Sequence, residues 1–298
     1  MPRLARALLS AATLALVPAV SALAPAMALA QTAPMFAPPA AGALDRTAAL
    51  VDALHLPEIF DIMEQEGATY GAEIADQMFE KGDTASWDRE VARIYDSART
   101  FPLFRDRFAE ALADVPEADI AAMLDFLGSE RGARIIALEV SARRAFLDPA
   151  VEETSLLRLE EMREMRDPRL GRIEDLIAAG DLIEENVSSA MNANLAFYRG
   201  MAEGGALDGA MTDEDMLSDV WSQEEQIRTE TARWVMSMLA LAYAPLDDSD
   251  LEAYRAFSDS AAGRRLNRAM FQAFDAVFSD VSFRLGLAAA GVLAGQDL

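Results

Sequence analysis

From residue 44 onward apolar residues recur every three or four positions, the spacing of one face of an α-helix. No stretch alternates β-branched and polar residues as a half-buried strand does. Ile59, Met63, Glu66, Tyr70, Ile74 and Met78 step along one such face; Ile183, Val187, Met191, Leu195 and Tyr198 step along another. Helix starts are written in cap chemistry. Asp148-Pro149 and Asp167-Pro168 each set a side-chain acceptor before a proline suited to a first helical turn. Ser249-Asp250-Leu251-Glu252 has the form of a capping box. The pattern predicts an all-α chain, a helical array of roughly ten to twelve helices with short connections.

Ahead of this region the pattern changes twice. Gln31 to Gly42 is rich in Ala and Pro and nearly uncharged, so residues 31–43 read as an extended linker, with folded structure starting near Leu44. Arg3 and Arg6 precede an uncharged run that ends in Ala28-Leu29-Ala30 before Gln31, the small-x-small pattern a signal peptidase needs. Residues 1–30 are therefore expected to be a signal peptide cut after Ala30. A retained membrane anchor suits the run less well, because it is Ala-rich and broken by Pro18 and Pro25. The expected location is periplasmic or secreted, with no integral membrane anchor once the signal is removed.

The array reads as two similar halves, residues 44–166 and 167–298. Asp119 through Ile135 can be laid on Asp250 through Leu266 at a shift of 131, with Asp, Ala, Phe, Ser, Gly and Arg coinciding. The physical reading is a helical hairpin. A helix ends near Phe126 or Phe257, Ser129 or Ser260 caps the next, and Gly132 or Gly263 allows close backbone approach. Val51-Asp52-Ala53-Leu54 and Glu174-Asp175-Leu176-Ile177 open similar segments upstream, and Trp87 and Trp221 sit in comparable stretches. The second half is then a degenerate repeat of the first; helical, Ala-rich sequence aligned by chance is the alternative.

The Phe-x-x-Ser-x-x-Gly hairpin, followed by Ala137-Leu138-Glu139-Val140-Ser141-Ala142-Arg143-Arg144-Ala145, resembles the secreted bacterial family known as domain of unknown function 2059. Trp87 through Tyr95 and Glu66-Gly67-Ala68-Thr69-Tyr70-Gly71 add to the resemblance, which covers most of residues 45–153 and recurs weakly in 172–285. Glu130 and Ala261 stand where many members of that family carry Pro. The resemblance implies an all-helical extracytoplasmic domain and supplies no catalytic residue.

Composition narrows the chemistry. The chain has no Cys, which removes thiol catalysis, disulfides, thiolate zinc sites and iron–sulfur clusters. Its only histidine, His55, excludes sites built on two imidazoles. A net charge of −24 and a pI near 4.3 should repel phosphate backbones, so nucleic acid is not an expected partner. His55 reads as a helix-end residue with a structural hydrogen bond, and Asp247-Asp248-Ser249-Asp250 as a cap rather than a calcium loop. No cofactor, metal ligand or catalytic residue is assigned.

Glu139 and Arg143 fall four residues apart on the apolar side of one helix, where the shift of 131 places Met270 and Phe274 in the second half. They read as a buried ion pair with either a structural role at the seam of the halves or a functional one. The leading expectation is a non-enzymatic secreted helical protein that binds a protein partner or itself, with a basic region as the preferred counterpart. The alternative is a glycan-cleaving hydrolase or lytic enzyme working through carboxylates such as Glu66 or Glu139.

Overall fold

The computed structural model describes residues 41–79, 85–207 and 211–295, and every regular element among them is a helix. The first six are α1 (Ala41–Ala53), α2 (Leu56–Met78), α3 (Ala85–Tyr95), α4 (Ser97–Leu112), α5 (Glu117–Leu127) and α6 (Glu130–Ala145). After α7 (Pro149–Met165) come α8 (Pro168–Ala179), α9 (Leu182–Glu203), α10 (Asp213–Ser222), α11 (Glu224–Ala242), α12 (Asp248–Ser258) and α13 (Ala261–Leu293). The all-α array expected from the periodicity is what the described residues form. The signal-peptide cleavage residues Ala28, Ala30 and Gln31 lie outside the described residues.

Local rules explain the boundaries. Asp148 and Asp167 accept from the backbone N–H two residues on, each at 2.9 Å, and their prolines occupy the first turn. Between α7 and α8, Arg166 takes the left-handed conformation at φ 52°, so the chain turns at the boundary read between the halves. Two boundary expectations need correction. Residues 41–43, assigned to the linker, belong to α1, since alanine favours helix over an extended chain. The cap of α12 is Asp247, which accepts from Asp250 N at 2.9 Å, while Ser249 donates to Asp247 inside the first turn.

The two motif hairpins have one geometry. Ser129 Oγ accepts from Gly132 N, and Ser260 Oγ from Gly263 N, both at 3.0 Å. A methyl group on Gly132 would stand 2.0 Å from the Phe126 carbonyl oxygen, and one on Gly263 2.1 Å from that of Phe257. The hairpins also meet each other. Phe126 and Phe257 stack at 4.1 Å between centroids and 3° between planes. Arg265 pairs with Asp119 at 2.8 Å, and the residues at the same register in the other copy, Arg134 and Asp250, approach to 3.5 Å.

Packing interleaves the halves. α13 lies against α4 and lends Phe274, Val277, Phe278 and Val281 to the core of α1–α6, while α6 packs on α11 and sends Ile135 and Ala142 into the other core. α13 is the one helix among the described residues long and apolar enough to cross a membrane, but its apolar turns are largely buried against its neighbours. Its contact with α9 is backbone on backbone: a methyl on Gly200 would fall 2.0 Å from Phe283 O, and one on Gly286 2.1 Å from Phe197 O. Trp87 and Trp221 do not correspond in environment. Trp87 is 1% exposed and donates to Gly71 O at 2.8 Å, whereas Trp221 is 61% exposed on α10.

Candidate functional site

Helical phase places Glu139 and Arg143 inside, and they are 5% and 6% exposed. They are not each other's partners, which corrects the expected ion pair. Arg143 reaches α2 and grips Glu66 with two bonds, Nε to Oε1 at 3.2 Å and Nη2 to Oε2 at 2.6 Å. Glu139 instead accepts from the Tyr243 hydroxyl of α11 at 2.6 Å. The two side chains share an apolar helix face, and each finds a closer partner on a different neighbouring helix. Burial pushes the Glu139 carboxyl up to about 7, against the lowering pull of the Tyr243 and Tyr254 hydroxyls.

The Glu66–Arg143 pair forms part of the wall of a cavity of about 430 Å³. Five regions converge there: α2, the C-terminus of α3, the turn from α6 into α7, α11 and one turn of α13. The cavity thus needs both halves and the α7 link between them. Gly67 makes room on α2, for the Tyr95 ring sits where a β-carbon would be, 2.2 Å from that position. Trp234 on α11 packs on Phe146 at 5.8 Å, and both rings line the cavity.

Tyr70, Glu73 and Glu152 in the wall have neither a hydrogen bond nor an ion pair among the described residues. The Tyr70 hydroxyl is buried on a side chain only 3% exposed and has no hydrogen-bond partner. Glu73 and Glu152, both half-buried, form no ion pair among the described residues. Burial raises the proton affinity of both carboxyls; Glu152 raises that of Glu73 further, and Arg233 partly offsets the effect on Glu152. Glu230 adds another acid at the rim, where it accepts from Gln226. Among the described residues no three acids or histidines converge as metal ligands do.

The sequence-selected residues scatter. His55 stands in the left-handed conformation before α2 and bonds Glu58 at 2.9 Å, away from the cavity wall. The motif residues Phe126, Ser129, Gly132, Phe257, Ser260 and Gly263 build the seam between hairpins and do not line the cavity. Of the acids singled out, Glu66 reaches the cavity and Glu139 does not. Glu73, Glu152, Tyr70 and Trp234 carry no site signature in the sequence, because helices distant in the chain bring them together. The chain matches no protein-family model, no curated protein and no solved structure.

Proposed function

We propose that this is an extracytoplasmic helical binding protein, of the kind the resemblance to domain of unknown function 2059 implies, and that the cavity between its halves is the binding site. The observation that carries the reading is the Tyr70 hydroxyl, a buried polar group without a partner in the wall of a 430 Å³ cavity. Such a group costs about 1–3 kcal/mol unless something in the cavity satisfies it. The small-residue leader supports export, and duplication of an ancestral helical half accounts for the shared motif geometry. An acidic exterior favours basic counterparts.

Thermal unfolding of the mature chain against low-molecular-weight fractions of an envelope extract tests the reading. A fraction that raises the melting temperature of the parent, but not of Tyr70→Phe, supports it; equal responses of the two proteins remove the site. Cell fractionation with N-terminal sequencing checks the address, and a mature terminus other than Gln31 would revise the cut.

A second reading rests on Glu73 and Glu152 as two unpaired carboxyls in one cavity, the residue pair from which a glycan-cleaving enzyme draws its acid and its base. A wall-glycan turnover assay decides between the two. Turnover lost in both Glu73→Gln and Glu152→Gln would make the protein an enzyme.

A further inference from the structure

The cavity wall carries an imbalance of charge. Glu66, Glu73, Glu152 and Glu230 face Arg143 and Arg233, and the Glu66–Arg143 pair is already closed by its two bonds. Glu73 and Glu152 are left as partly desolvated carboxylates that repel one another, with Arg233 acting on Glu152 from a distance. A ligand anion would meet this repulsion. Among the described residues no third acid or histidine converges here as a metal ion would require. The remaining surface is aromatic and apolar: Trp234, Phe146, Tyr95, Phe278 and Leu156.

We propose that the cavity takes an organic cation, an ammonium or guanidinium group on an aliphatic stem, held by Glu73 and Glu152, with Trp234 walling the stem and the wall yielding enough for the Tyr70 oxygen, closed off in the empty cavity, to accept one of its N–H groups. Each unsatisfied group then gains a partner. The cation neutralises the repelling carboxylates, its spare N–H reaches the hydroxyl that no protein donor reaches, and the aromatic wall favours both positive charge and methylene groups. A neutral saccharide would satisfy Tyr70 but leave the acids unneutralised. The inference rests on the cavity being a binding site, and it names the ligand class.

Isothermal titration calorimetry of the mature chain tests it, with 1,5-diaminopentane, agmatine and spermidine as cationic probes and a chitin-type oligosaccharide as the neutral one. The cations should bind and the saccharide should not. Glu73→Gln and Glu152→Gln should each weaken cation binding about tenfold, the expectation for losing a charge-assisted contact, while Tyr70→Phe weakens it about three- to tenfold. Any proton release on binding, read from buffers of different ionisation enthalpy across a pH series, should disappear in the Glu73→Gln, Glu152→Gln double variant. Cation binding left unchanged by these substitutions would assign it to the acidic outer surface and overturn the proposal. Saccharide binding without cation binding would overturn the ligand class and leave the site standing, whereas no difference between parent and Tyr70→Phe toward any probe or extract fraction would remove the site itself.

Discussion

The two hairpin regions begin alike and end in opposite chemistry. Where the first half sets Glu139, the second has Met270; Tyr243 and Tyr254 around Glu139 stand at the registers of Leu112 and Met123. All six are buried. One trio is thus an acid with two tyrosines, and the other is three aliphatic side chains. Arg143, which grips Glu66, likewise stands at the register of Phe274, whose ring lies 4.6 Å from Phe104 and 5.8 Å from Phe60. Close backbone contact fixes the turn, so Ser and Gly stay; the helix faces beyond it only need to be filled. The polar version sends Arg143 to the cavity wall, and the apolar version sends Phe274 into an aromatic core.

The largest expected effect separates the trios by pH. The Glu139 carboxyl has an ordinary value of 4.5 and a folded value of about 7. Between these limits the folded chain holds a proton the unfolded chain has lost, so stability falls as pH rises through the window and levels off above it, by about 3 kcal/mol in all. Glu139→Gln should flatten that part of a urea-unfolding series measured from pH 4.5 to 8. A parent curve without the fall would show that Glu139 is not desolvated as the geometry requires.

Arg143→Met comes next. It leaves Glu66 without its two bonds, and the cost should be about 2–3 kcal/mol, below the usual figure for a broken buried pair because Glu66 opens onto the cavity. Adding Glu66→Leu should restore most of the loss in thermal unfolding, as expected when a whole pair is replaced by apolar groups.

The shared turn should respond equally in both copies. Ser129→Ala and Ser260→Ala each remove one cap and should each cost about 1 kcal/mol, adding when combined. A difference above about 1 kcal/mol between them would end the equivalence of the hairpins. The reciprocal pairs come last: Asp250→Asn should cost about 1 kcal/mol, since Asp250 is buried and also accepts from Arg131 at 2.8 Å, and Asp119→Asn about 0.5 kcal/mol, less at high salt.

Legibility in the sequence follows range. The helical class, the proline caps and the Ser–Gly turn depend on residues within a turn or two, and periodicity and cap chemistry record such contacts directly. The burial of Glu139 and Arg143 was legible for the same reason, since helical phase alone places them inside. Their partners were not: Glu66 lies 77 residues before Arg143, and Tyr243 lies 104 after Glu139. The cavity is further out of reach, because Tyr70, Glu152 and Trp234 come from helices whose convergence is a tertiary fact. Its one trace in the sequence is Glu66, an acid on an otherwise apolar stripe beside the glycine that admits the Tyr95 ring.

The stacking of Phe126 on Phe257 also bears on assembly. A side chain that meets its own counterpart face to face, flanked by Arg–Asp contacts that repeat with the roles of the halves exchanged, has the form of an isologous, self-complementary patch. Two copies of the first half would present Phe126 to Phe126 and Asp119 to Arg134 on both sides. The chain therefore holds a dimer-like handshake within a single polypeptide, and α7 acts as the tether that keeps the two hands at high effective concentration.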